Sequence, residues 1–134
     1  MKDNQLQIVT YGQAKRLKEL GFDWECSNYY CRINKTLHKF NNQIEMNSNN
    51  FPSNISAPIV ALALKWCRDV KNIDFHISRC ILETENLWDN SIHYGKEFIF
   101  YINNNLCNYL PFETCDLAES ALLDEILNIL EQEK

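Results

Sequence analysis

The stretch from Ser56 to Ile81 constrains the fold most, because its pattern predicts one helix followed at once by one strand. Ser56 is placed to cap the first helical turn, where Pro58 loses nothing by lacking an N–H. Asn72 is placed to end the helix. Apolar residues recur between these limits at the three-and-four spacing of one helical face. They are Ile59, Leu62, Ala63, Trp66 and Val70.

The strand that follows alternates in polarity. Ile73, Phe75 and Ile77 point one way, and the residues between them, starting with Asp74 and His76, point the other. A period of two with one polar side is typical of an antiparallel sheet that has a single covered face. We expect the preceding helix to cover it.

Two further elements are predicted before this stretch. Thr10 is placed to cap a helix over Tyr11–Leu20 that ends at Gly21. Residues 29–33 and 36–40 predict a hairpin around a two-residue Asn34-Lys35 loop. The Asn- and Ser-rich residues 41–55 that follow predict a loop.

The C-terminal part continues the sheet and adds a helix. Residues 83–93 predict a polar connection, and residues 96–102 and 106–110 predict two strands. Asp116 and Glu119 have the spacing of a capping box at the start of a last helix.

Together these elements predict an α+β domain, with an antiparallel sheet and two or three helices packed on one face. A length of 134 residues suits a single domain with one core. Within it we expect residues 1–55 to form a lobe of helix plus hairpin. Residues 56–134 are expected to form the core, in the order helix, strand, strand, strand, helix.

The charge is concentrated near the C-terminus. Residues 116–134 carry six acids and one base, which accounts for the whole net charge of −5. A nucleic-acid interface needs a basic stripe, so this balance makes nucleic acid an improbable partner. The polar N-terminus lacks an export signal, and no apolar run is long enough to cross a bilayer. We therefore expect a cytoplasmic protein whose six cysteines are reduced thiols, with no cofactor implied.

Few residues suggest chemistry. Three scattered glycines provide no phosphate-binding loop. Cys26, Cys31 and His38 could form a zinc site if the hairpin brought them together, although the spacing is looser than in a usual zinc knuckle. Ordinary thiols on a hairpin are the simpler interpretation. His76 and His93 could be neighbours across a hairpin and serve a cysteine nucleophile, but surface histidines are the commoner case.

Carboxylates could also act in acid–base chemistry. Glu83, Glu85 and Asp89 are the candidates, but all three lie in the predicted connection, where solvated side chains are the simpler interpretation.

Aromatic and acidic residues provide the candidate contact surfaces. Trp24, Tyr29, Tyr30 and Trp88 fall in predicted loops or strand edges, where such rings serve either as interface contacts or as seals over the core. Asp124 and Glu125 belong to the acidic last helix and would suit a partner with a basic surface. These features favour a non-catalytic protein-interaction module. A small enzyme or zinc protein is the first alternative, and a nucleic-acid-binding module the second.

Three blocks carry a resemblance in sequence. They are YGQAKRLKELGF at residues 11–22, SAP running into LKWCRDVKNI at residues 56–73, and TCDLAESAL at residues 114–122. The chain thereby resembles a group of uncharacterised phage-like proteins found in prophages and mobile elements of gut Bacteroidetes. Members of that group more often have Tyr-Glu-Glu-Ala where Cys115–Ala118 stands here. The resemblance implies a mobile-element setting and no particular activity.

The order of elements after Ser56 resembles, in topology only, the double-stranded-RNA-binding domain. That family holds phosphates with lysines at the start of its last helix. The matching stretch here, Thr114–Glu119, contains two acids and no base. The resemblance therefore implies a similar packing of two helices on a sheet without RNA binding.

Overall fold

The computed structural model describes residues 7–40, 45–85, 92–103, 105–106 and 114–133. The helices are α1 (Tyr11–Glu19), α2 (Val60–Lys71) and α3 (Cys115–Gln132). The strands are β1 (Asn28–Cys31), β2 (Leu37–Lys39), β3 (Asn54–Ser56), β4 (Phe75–Glu85), β5 (Ile92–Ile102) and β6 (Asn105–Leu106). The α+β class is confirmed, and so is the predicted order of helix, three strands and helix in the C-terminal part.

Helix α1 begins and ends where its sequence predicts. The Thr10 hydroxyl accepts a hydrogen bond from the Gln13 N–H at 3.1 Å, and Gln13 Oε1 accepts one from the Thr10 N–H at 3.0 Å. These two bonds satisfy amides that the first turn cannot pair by itself. Gly21 follows the helix with a φ of 99°, a left-handed conformation that costs glycine little.

The first sheet has the strand order β2-β1-β3, and all its pairs are antiparallel. The predicted hairpin is confirmed, but its loop has four residues, 32–35, instead of two. The Cys31 N–H bonds the Thr36 carbonyl at 2.9 Å, and the Lys35 N–H bonds the Cys31 carbonyl at 2.8 Å. Lys35 takes the left-handed position that closes this longer turn, with a φ of 59°.

Strand β3 lies at the end of the predicted loop, and its last residue corrects a second prediction. Ser56 is buried in the sheet and does not cap a helix. Its hydroxyl accepts from the Asn49 N–H at 3.2 Å, and its own N–H donates to Asn49 Oδ1 at 2.8 Å. Asn49 Nδ2 donates in turn to the Phe22 carbonyl at 2.8 Å, which ties this segment to the chain after α1.

Helix α2 starts later than predicted because backbone contacts replace a side-chain cap. Ile59 occupies the cap position without a side-chain bond, and the Val60 N–H donates to the Gln7 carbonyl at 2.8 Å. Asn72 ends the helix with a φ of 58°, as predicted. The expected buried position of Val70 is wrong, since this side chain is 47% exposed. The buried residues are Val60, Ala63, Leu64, Trp66 and Cys67.

The second sheet has the order β4-β5-β6, so the strands form two sheets instead of the expected one. Strands β4 and β5 pair from Phe75↔Ile102 to Glu85↔Ile92. The predicted connection at residues 83–93 is therefore wrong at both ends, where the two strands continue. The predicted alternation is confirmed at Phe75, which is buried, and at its exposed neighbours Asp74 and His76.

Helix α3 begins one residue after its true cap, Thr114. The Thr114 hydroxyl accepts from the Leu117 N–H at 3.1 Å. The predicted capping box of Asp116 and Glu119 is wrong, because Asp116 already lies in the first turn. There its carboxylate still favours the positive end of the helix dipole. The buried face consists of Ala118, Leu122, Leu123, Ile126, Leu127 and Leu130.

A single cluster of buried apolar side chains includes residues from both predicted parts of the chain. Phe22 from the first part and Trp66 from the second meet with ring centroids 5.4 Å apart. Burying side chains of this size stabilises a fold by about 1.5–3 kcal/mol each.

Polar contacts join α1 to α3 at the edge of this cluster. Gln13 is buried, and its Nε2 donates to the Ser120 carbonyl at 3.2 Å and to Asp124 Oδ1 at 2.9 Å. One helical turn further on, Arg16 binds both carboxylate oxygens of Glu131, at 2.9 and 2.7 Å. The first and last helices are thus held together by directed bonds as well as by apolar contact.

We expect Gln13→Ala to lower the free energy of unfolding by about 2 kcal/mol, because it removes a buried side chain that bonds the Thr10 N–H and the Ser120 carbonyl, and each such bond contributes about 0.5–1.5 kcal/mol. Urea denaturation followed by circular dichroism would measure the loss. Gln132→Ala, the same change at an exposed position of α3, is the control and should change stability by less than about 0.5 kcal/mol. Equal losses in the two variants would contradict a structural role for the Gln13 amide.

Candidate functional site

The proposed zinc ligands are not brought together. Cys26 is buried, and its thiol donates to the Asn28 carbonyl at 3.5 Å. Cys31 lies at the far end of β1, and His38 stacks on Tyr29 with ring centroids 5.2 Å apart. Across the parts of the chain that the structure describes, no three Cys, His, Asp or Glu side chains are grouped as a metal site.

The two candidate catalytic histidines lie far apart along the second sheet. His76 pairs with Tyr101 and stacks on its ring at 4.6 Å, whereas His93 pairs with Thr84, eight residues further along β4. The expectation that they are neighbours is therefore wrong. Glu83 and Glu85 lie in β4 instead of a loop. Asp89 and Trp88 lie outside the described residues.

Two buried thiols are poor nucleophiles. Burial raises the pKa of Cys67 to about 12, although the positive charge of Lys71 acts in the opposite direction. Burial also raises the pKa of Cys26. Only a thiolate attacks effectively, and both groups hold their protons at neutral pH.

Two of the aromatic candidates cover the core. Trp24 is half-buried beside Phe22, with ring centroids 6.5 Å apart, and the Lys65 ammonium lies 5.8 Å from its ring centre. Tyr30 packs edge-on against Tyr11 and donates its hydroxyl to the Val9 carbonyl at 2.8 Å. Burial raises the Tyr30 pKa, so this hydroxyl keeps its proton.

Both acidic candidates on α3 are exposed, but one of them already has a partner on α1. The Asp124 carboxylate accepts from Gln13 and lies 3.9 Å from the Arg16 guanidinium, so it faces α1. Glu125 is exposed. Desolvation raises the pKa of Glu119, and the neighbouring Asp116 adds to this shift.

A groove of about 410 Å³ lies beside α2, but its cations are already bound. Lys65 forms an ion pair with Asp69 at 2.6 Å, and the Arg68 guanidinium lies 4.2 Å from the centre of the Phe75 ring. The groove therefore presents no free cation to a ligand among its described lining residues.

Among the residues whose exposure the structure describes, the β1–β2 hairpin is the most exposed feature. Residues 32–39 are all exposed, an unbroken run of eight. Among the described residues, five large apolar side chains are exposed, and three of them, Ile33, Phe51 and Leu37, belong to the first sheet and its turns. Ile33, at the tip, is 86% exposed. Phe51 lies beside the tip, because the Arg32 N–H bonds the Ser53 carbonyl at 2.9 Å. We call residues 32–39 with Phe51 the hairpin surface.

One face of the hairpin is held by a row of polar and aromatic contacts. The Thr36 hydroxyl donates to Asn34 Oδ1 at 2.6 Å and therefore accepts from His38 Nε2 at 2.8 Å. His38 stacks on Tyr29, whose ring centre also lies 4.9 Å from that of Phe40. This row gives an exposed hairpin a fixed shape, which lowers the entropy lost on binding.

The base of the hairpin is bound to the body of the domain. Besides the Tyr30 bond to Val9, the Lys18 ammonium donates to the carbonyls of Phe51 at 3.1 Å and Asn54 at 2.8 Å. Burial lowers the Lys18 pKa, and the charge of Arg32 lowers it further. The hairpin surface therefore protrudes from a rigid support.

The sequence analysis named Tyr29, whose ring stacks on His38 of the hairpin surface, but it did not name Ile33 or Leu37. A signal was present in the charges, because residues 28–40 contain Arg32, Lys35 and Lys39 and no acid. Apolar residues between such cations in a short hairpin have little room in a core.

No known protein family, curated protein or solved structure matches this chain. Within the described residues, no helix is long and apolar enough to cross a membrane.

We expect the stability of the protein to fall at alkaline pH through Cys67. The pKa of Cys67 in the folded state lies above its ordinary value of 9.0. The protonated thiol therefore contributes its full stability below pH 9, and this contribution is lost as the pH rises toward 12. Between neutral pH and one unit above pH 9, the free energy of unfolding should fall in both proteins. The fall should be about 1.4 kcal/mol larger in the wild type than in Cys67→Ala. Urea denaturation of both proteins across this range measures the difference, and parallel pH profiles would contradict it.

Proposed function

We propose that this chain is a non-catalytic protein-interaction module whose contact surface is the hairpin surface. The observation that carries the proposal is the unbroken exposure of residues 32–39 with large apolar side chains among them. A chain gains nothing in its own stability by holding Ile33 in water, whereas an interface gains from burying it.

The composition of this surface supports a protein partner. Apolar side chains lie among cations on a preorganised support, which is the arrangement of an interface with an apolar centre and a polar rim. The reactive side chains described above are occupied or separated, so they offer less support for the alternative of an enzyme or zinc protein. The cytoplasm and a mobile element remain the proposed setting.

The exposed face of α3 is the second candidate surface, favoured by the exposure of Glu125 and Glu133. It would suit a partner with a basic surface. Asp124 contributes less to it, because its carboxylate already binds Gln13.

We expect Ile33→Ser to reduce partner capture about tenfold, because a buried isoleucine contributes about 1.5–3 kcal/mol to an interface. The measurement is affinity capture from nuclease-treated host lysate with quantitative mass spectrometry. Val70→Ser is the matched control, since it removes an exposed β-branched side chain from α2. Both variants should retain wild-type stability within about 0.5 kcal/mol.

Two other results would redirect the proposal. Capture that is unchanged in Ile33→Ser but reduced in Glu125→Gln would assign the contact to α3. Failure of the wild type to retain any protein at near-equal stoichiometry would reject the interaction module and favour the alternative.

A further inference from the structure

Strand β2 has one edge to which no described residue pairs. Thr36 and Phe40, which flank β2, bond toward β1: the Cys31 N–H donates to the Thr36 carbonyl, and the Phe40 N–H donates to the carbonyl of Ser27, just before β1, both at 2.9 Å. Hydrogen bonding alternates along an antiparallel pair, so the backbone groups of Leu37 and Lys39 point away from β1. No described residue bonds to them, and β2 is the last strand on this side of its sheet.

This edge is open to another chain. Every residue of β2 is exposed, and Leu37 is 44% exposed. Unpaired N–H and C=O groups beside exposed apolar surface form a template for one more strand. The edge is short, so it suits an added segment of a few residues rather than a broad sheet-to-sheet contact.

The charges of the hairpin indicate which kind of strand would pair with β2. Residues 28–40 carry three bases and no acid, so pairing of two β2 edges from two copies would bring like charges together. An acidic segment would instead place carboxylates beside Arg32 and Lys39, with the strongest effect at low salt.

The aromatic row argues against a nucleic acid at this site. Base stacking on a protein needs ring faces that are open to the solvent. Tyr29 is covered on its sides by His38 and Phe40, at 5.2 and 4.9 Å, so these rings stack mainly on one another.

We propose that β2 binds an extended acidic segment of another protein by strand addition, with the segment pairing to Leu37 and Lys39. The first sheet then has four strands, in the order partner-β2-β1-β3. Ile33 and Leu37 bury apolar side chains of the segment, and the hairpin cations bind its acids. This inference rests on the proposed function, and it specifies how the hairpin surface binds.

The test starts from a displayed library of random short peptides, selected on the purified full chain. Binding of a synthetic copy of the best peptide is then measured by fluorescence anisotropy. Leu37→Pro removes the outward N–H without removing a bond to β1, and Leu37→Ala removes the side chain but keeps the N–H. Thermal unfolding of each variant reports on the hairpin.

We expect the selected peptides to be rich in Asp and Glu and to bind less tightly as salt rises. Leu37→Pro should bind about tenfold more weakly than Leu37→Ala, since it alone removes a backbone bond and adds a clash with the incoming strand. N-methylation of the peptide at alternate residues should abolish binding to the wild type in one register and spare it in the other. If Leu37→Pro does not fold, binding of the N-methylated peptides to the wild type decides whether the segment adds as a strand.

Other outcomes would overturn the inference. They are an empty selection, equal binding by Leu37→Pro and Leu37→Ala with no effect of N-methylation, or a dimer of the wild type that Leu37→Pro abolishes. Oligouridine that binds the wild type but not Leu37→Pro would assign the edge to nucleic acid.

If Ile33→Ser loses its partner while the backbone tests fail, the proposed function stands and strand addition is rejected. Unchanged capture by Ile33→Ser would reject the hairpin surface as the contact surface, and strand addition with it.

Discussion

The arrangement of this domain depends on the bonds made by α1. Gln13 and Arg16 on one side of this helix bind α3, more than one hundred residues away in the sequence. Lys18 on another side binds the end of the first sheet. A nine-residue helix is marginal alone in water, so α1 owes its stability to these contacts and to the apolar cluster beneath them. In return it fixes the first sheet relative to the last helix, and with it the direction in which the hairpin points.

Much of the fold could be predicted because its signals are local. The α1 cap at Thr10, the left-handed Gly21 and Asn72, and the alternation around Phe75 each depend on a few neighbouring residues. The errors arose where a local signal had a distant competitor. Ser56 has the sequence context of a helix cap, but Asn49 bonds both its N–H and its hydroxyl and keeps it in a strand.

The candidate site was harder to predict because exposure is a property of the whole fold. Asp124 and Glu125 are adjacent acids on one helix, yet only the packing of α1 reveals that the first is occupied and the second is free to face solvent. Tyr29 and Tyr30 are adjacent rings in one strand, and the alternation of the strand sends one outward and the other against the core. Composition indicated which classes of residue to consider, and the tertiary contacts distinguished the bonded members of each class from the exposed ones.

The separation of the hairpin surface from the core bears on how such a chain can change over time. Substitutions at an exposed tip position such as Ile33 usually alter stability by less than about 0.5 kcal/mol. The support below, bound through Tyr30 and Lys18, does not depend on which side chains the tip carries. Under the proposed function, variation at the tip would alter which partner is bound while the fold is retained, which would let a lineage of such proteins follow a partner that is itself changing.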